Sequence, residues 1–158
     1  DVGLWVFRIH QEDKHYELHA DETLERILAA LELRPRLGLE LLTQRAEVLR
    51  SLGTHAEELE EVEAKIDLFR RNIAAADKGK LKAVEQTGYL KRDPVEWTAR
   101  WEEVIDQAEQ IVAEQLAGEP MVMGYCFGYW SAKAAVLSDK FGIEWRSPAA
   151  MNPRVMFD

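Results

Sequence analysis

The chain has 158 residues, 47% of them hydrophobic, and a formal net charge of -9 at pH 7. That size and composition suit one domain with an ordinary apolar core and exclude a disordered chain. The acidic balance disfavours general nucleic-acid binding, the single cysteine excludes an internal disulfide, and no run reaches the ~20 apolar residues of a membrane helix.

A reducing, cytoplasmic setting is the simplest expectation for a lone Cys126. The start, Asp1 to Trp5, lacks the basic and apolar regions of a signal peptide. It also lacks an initiator methionine, which leaves room for preceding residues.

Residues 4–9 alternate, with Trp5, Phe7 and Ile9 on one side, and Tyr16 and Leu18 alternate again after a polar turn. A period of two predicts a small β-hairpin within residues 1–20. From Asp21 the period changes: Leu24, Ile27, Leu28 and Leu31 line one face of a helix, which Pro35 ends or kinks. A second helix is predicted from about Leu37 to Leu52, carrying Leu41, Leu42, Arg45, Val48 and Leu49, with Gly53 closing it.

Thr54-His55-Ala56-Glu57 has the spacing of a capping box and opens the next helix. The short break predicts two antiparallel helices side by side. Leu59, Val62, Ile66, Phe69 and Ile73 form a heptad seam there, with Glu57, Glu58, Glu60, Glu61 and Glu63 outside it. Gly79 interrupts the pattern, and a short helix from Lys80 to Gln86 follows. Between Arg70 and Arg92 seven basic residues face only Asp77 and Glu85, about +5 against about -14 for the remainder. Such a stretch is either a solvated joint between helices or a docking surface for an acidic or phosphate-bearing partner.

Asp93-Pro94-Val95-Glu96 is a helix start, and Trp97, Trp101, Val104, Ile105, Ala108, Ile111, Val112 and Leu116 share the face that follows. The last helix, roughly Met121 to Lys140, is apolar nearly all round its first turns and is expected to be central. Gly124 and Gly128 on it would allow a close helix approach. Gly142 ends it, and the tail to Asp158, with Pro148 and Pro153, is extended but packed through its apolar residues. The expected architecture is therefore mainly α: a single domain over 1–158, a helical bundle of about five helices over 21–141, with a small N-terminal β-hairpin and an extended C-terminal tail.

Four constellations could carry chemistry. His10, His15 and His19 suggest a metal, but no regular structure converges all three, since His15 and His19 lie about 13 Å apart along a strand. Glu57/Glu61 and Glu60/Glu63 are spaced to share a helix face, Glu103/Asp106 have three-residue spacing on a later helix, and two such helices could hold Mg²⁺ between them. That spacing loosely resembles the Glu-x-x-Glu and Glu-x-x-Asp pairs of all-α nucleotide pyrophosphatases, which implies a metal-dependent phosphohydrolase; a solvated acidic face is the plainer reading. Cys126, between Tyr125 and Phe127, reads as a buried inert thiol.

The fourth constellation is aromatic. Trp97, Trp101, Tyr125, Tyr129 and Trp130 make either an aromatic core or a groove for a small ligand or partner helix. Phosphate loops, dinucleotide fingerprints and Ser-His triads are absent. Surplus apolar surface without a chemical motif points first to a non-enzymatic protein-interaction or self-assembly module, a homo-oligomer or a protein with a protein partner, with no cofactor. A metal-dependent phosphohydrolase and a small-ligand binder are the alternatives.

Overall fold

A computed structural model describes residues 34–118, 120 and 123–157. The expected hairpin, most of the helix beginning at Asp21, and His10, His15 and His19 lie outside the described residues. The described chain is mainly helical and contains no strand. It forms two compact units, divided after Phe69.

In the first unit, α1 (Pro35–Leu52) is followed by α2 (Ala56–Asp77), within which the division falls. Pro35 opens α1 instead of merely ending what precedes it. At the first helical position its missing N–H costs nothing, because that N–H would have no partner inside the helix. Gly53 closes α1 at φ 68, its N–H donating to the Leu49 carbonyl at 3.1 Å. The Thr54 hydroxyl meets His55 Nδ1 at 2.8 Å, so it is used one residue away and not as the expected capping box.

Leu42, Ala46 and Leu49 of α1 bury against Val62 and Ile66 of α2, with Leu39, Leu59 and Phe69 around them. Four residues of the expected seam, Leu59, Val62, Ile66 and Phe69, are therefore the contact face of an antiparallel pair, while Ile73 belongs to the second unit. Each fully buried aliphatic side chain contributes about 1.5–3 kcal/mol. Gly38 sits where a Cβ would come within 3.3 Å of Phe69 Cε2, so the smallest residue occupies the closest approach. Arg45, on the leucine face, is buried and its guanidinium is answered by Glu58, while Arg50 meets Glu63 at 2.9 Å in water.

In the second unit a short 3-10 turn (Leu81–Ala83) replaces the expected helix over Lys80–Gln86. The chain cannot coil further because Asn72 occupies both backbone groups of Glu85 (N–H to Oδ1 2.8 Å, Nδ2 to C=O 2.9 Å). Asp93 does cap the turn that follows, accepting from the Val95 N–H at 3.2 Å, but that turn is 3-10 (Pro94–Trp97). A fresh start at Thr98, whose hydroxyl accepts from the Trp101 N–H, begins α3 (Ala99–Gln115). Trp97 and Trp101 thus stand on separate elements.

The last long helix, α4 (Tyr125–Phe141), packs against α3. Gly124 precedes it at φ 84, a left-handed conformation that no helix interior accepts, so α4 is shorter at its start than expected. The close approach expected at Gly128 is not made among the described residues: none lies within 4 Å of a Cβ placed there, and Gly128 is exposed. The core joins Trp97, Trp101, Val104, Ile105, Ala108 and Val112 to Val136 and Leu137, and the tail adds Ile143 and Trp145. The tail is not simply extended, because Ser147 caps a single helical turn, α5 (Pro148–Met151), accepting from the Ala150 N–H at 3.2 Å.

Candidate interaction surface

The organising group of the second unit is Lys133, in the middle of apolar α4 and only 3% exposed. An ammonium taken from water costs several kcal/mol unless close partners answer it. Here Glu109 of α3 accepts from Nζ at 2.5 Å. The Trp101 and Trp145 rings add their electron-rich faces, with centroids 5.3 and 5.0 Å from the same nitrogen. Trp101 and Trp145 themselves lie 6.1 Å apart, tilted by 34°.

Both ends of this group are anchored. Trp145 donates its indole N–H to Glu96 Oε1 at 2.7 Å, and Arg92 donates to the other oxygen of Glu96 at 2.8 Å. On the far side, Glu109 takes a hydrogen bond from the Tyr129 hydroxyl. Burial, and then Glu109 through its hydrogen bond and its charge, push the Tyr129 phenol pKa well up. A further pair ties the tail: Asp93 accepts from both the backbone N–H and Nε of Arg146, at 2.8 and 2.9 Å. Positive and negative groups thus alternate from the 3-10 turn through the tail to α4.

This inner network fixes the face that α4 turns outward. Tyr129 and Lys133, four apart, point to α3, whereas Phe127 and Trp130, three apart, share another face. Phe127 meets Trp130 edge to face at 5.7 Å, and Trp130 meets Phe157 of the tail edge to face at 5.2 Å. The ladder is at the surface: Phe127 is 46% exposed, and Met156, beside Phe157, is 92% exposed. Met123, just before α4, is 91% exposed. The expected central helix is therefore at most half-buried in its first two turns, its buried residues beginning at Lys133, and the tail packs on Trp130 while presenting Val155 and Met156 to water.

The sequence-derived candidates separate. Trp97 and Trp101 are buried, Trp101 completely, and belong to the core. Trp130 belongs to the ladder. Tyr125 and Tyr129, with Leu116, Pro120, Met123, Gly124 and Gly128, line a depression of about 210 Å³. Glu57 and Glu61 are exposed on α2, in the first unit, and Glu103 and Asp106 are exposed on α3, in the second. Glu103 meets Arg100 at 3.3 Å. Among the described residues no three His, Cys, Asp or Glu side chains are grouped as metal ligands would be. Cys126 is half-buried.

Sequence reading missed Glu109 and Lys133, and it marked Phe157 only as one of the apolar residues that pack the tail. The signal for the first two was present: a charge inside an apolar face, Lys133 between Trp130 and Val136, or Glu109 between Ala108 and Val112, requires a buried counterpart. For Phe157 the pattern shows packing but not the partner, Trp130, which lies 27 positions away in the chain.

No family profile, characterised protein or solved structure is significantly similar to this chain. No helix among the described residues is long and apolar enough to cross a membrane.

Proposed function

We propose that this chain is a protein-interaction module that associates with a second copy of itself through the outward face of α4 and the end of the tail. The supporting observation is the Phe127–Trp130–Phe157 ladder, in which Phe127 is exposed and Trp130 and Phe157 are half-buried, with exposed Met123 and Met156 beside its elements. Aromatic residues and methionine are the side chains enriched in interface cores, and a contiguous apolar patch on a soluble surface marks a contact site. A self-complementary patch on two identical chains gives a twofold dimer without any further specialisation. The alternating ionic network beneath the ladder supports the reading, because a surface held rigid before contact loses less entropy on binding. A cytoplasmic setting accords with the lone thiol.

The experiment is sedimentation equilibrium of the wild-type chain and Phe127→Glu. The wild type is expected to reach a dimer mass reversibly at micromolar concentrations, and the variant to remain a monomer with an unchanged helical spectrum. A wild type that stays monomeric contradicts the proposal. The depression beside Tyr125 and Tyr129 favours the small-ligand reading less, because its volume of about 210 Å³ falls below the roughly 300–1,000 Å³ of typical ligand pockets.

A further inference from the structure

The basic stretch between α2 and α3 is built, not merely charged. The 3-10 turns Leu81–Ala83 and Pro94–Trp97 lie against each other, so the chain between them leaves and returns at one place. Three side-chain amides hold that excursion. Asn72 takes both backbone groups of Glu85, at 2.8 and 2.9 Å. Asn152, from the tail, does the same to Lys91, at 2.9 and 2.8 Å. Gln86 Oε1 accepts from the Arg92 N–H at 3.1 Å and closes the neck. An amide that pairs with both the N–H and the C=O of one residue acts as a neighbouring strand would, and fixes extended backbone. The result is an Ω-type loop with Tyr89 in its middle, 95% exposed.

The charges of this loop are turned outward. Lys78, Lys80, Lys82 and Lys91 are all exposed, and none pairs with a carboxylate among the described residues. By contrast Arg71 meets Glu85 at 2.9 Å and Arg92 meets Glu96 at 2.8 Å. Unanswered lysines around a rigid loop with a projecting aromatic ring form a surface whose complement is anionic and has one apolar position.

We propose that this loop docks an acidic polypeptide segment, a run of Glu and Asp with an apolar residue that receives Tyr89. Charge decides against a long polyanion: in the same unit, residues 93–158 carry about -6, and a nucleic acid extending past the loop onto them meets that repulsion. A segment of several residues meets only the lysines. The proposal is independent of self-association through α4.

The test is fluorescence anisotropy of a labelled glutamate-rich peptide with one central Phe, titrated at low salt with the full chain. Saturable binding is expected, weakened by added salt and about tenfold weaker in Lys80→Glu/Lys82→Glu. Tyr89→Ser and Asn152→Ala, which keep every lysine, are also expected to weaken it. The side chains of Lys80, Lys82 and Tyr89 are exposed, so those variants keep the fold, as a thermal melt verifies. Absence of saturable binding overturns the proposal. So does binding untouched by both Tyr89→Ser and Asn152→Ala, which is plain charge attraction, and so does tighter binding to a single-stranded RNA of equal charge.

Discussion

A lysine held away from water is tolerated only where its charge is met at close range. Lys133 has one carboxylate, Glu109, and two indole faces. Lys133→Met leaves Glu109 with the Tyr129 hydroxyl alone, and the expected loss is about 3 kcal/mol in urea unfolding. Lys133→Met with Glu109→Gln is expected to recover much of it, since an uncharged pair strands no charge and the new amide oxygen at position 109 can still accept from Tyr129. Tyr129 sets the alkaline limit of the same network. Its phenol pKa is raised by burial and then by Glu109, so the folded chain keeps the proton after the unfolded chain has lost it near pH 10. The contribution of this neutral phenol is complete below that pH and declines as pH rises beyond it. A Tyr129→Phe variant is expected to lose the last component of a phenolate absorbance titration and to soften the decline in melting temperature above pH 10.

At the scale of elements, the periodic segments and the glycine-capped ends at Gly53 and Gly142 were legible, and the other ends were not. Leucines and isoleucines at three- and four-residue spacing define α1, α2 and α3 because burial of one stripe is a local pattern. Where the chain stops being helical was decided by distant side chains. Asn72 holds the strand-like residue that ends the turn at Ala83, and Asn152 acts on Lys91 from 61 residues away. Thr98 split the expected helix after Asp93 because two caps stand five residues apart and each takes its own turn. Gly38, unmarked in the sequence, proves to be the close approach of α1 and α2, while Gly128, which looked suited to that role, is in the open. Gly38→Val is therefore expected to overpack the Phe69 ring and destabilise by about 1–3 kcal/mol, read as a lowered urea midpoint with unchanged slope.

For the whole molecule, hydrophobic pattern predicted helices well and exposure less well. A nearly all-apolar run such as Tyr125 to Leu137 implies a central helix, yet one face of its first turns carries Phe127 into water. The pattern shows how much apolar surface exists, not which part a partner covers. The aromatic candidates divided for the same reason: Trp97 and Trp101 complete the core, and Trp130 completes a surface ladder. Acidic residues lie outside as expected on α2, apart from Glu58, which is half-buried against Arg45, whereas Asp93 and Glu96 are buried. Glu57, Glu60, Glu61 and Glu63 are exposed, and an exposed pair such as Arg50–Glu63 contributes about 0–1 kcal/mol. Among the described residues, the apolar ladder and the lysine loop are features without an evident internal use.

The most direct test of the association surface is hydrogen exchange measured over a wide range of protein concentration. Amides of residues 125–130 and 155–157 are expected to gain protection as concentration rises, while those of α1 stay constant. Exchange in those two segments that does not change with concentration would contradict the account.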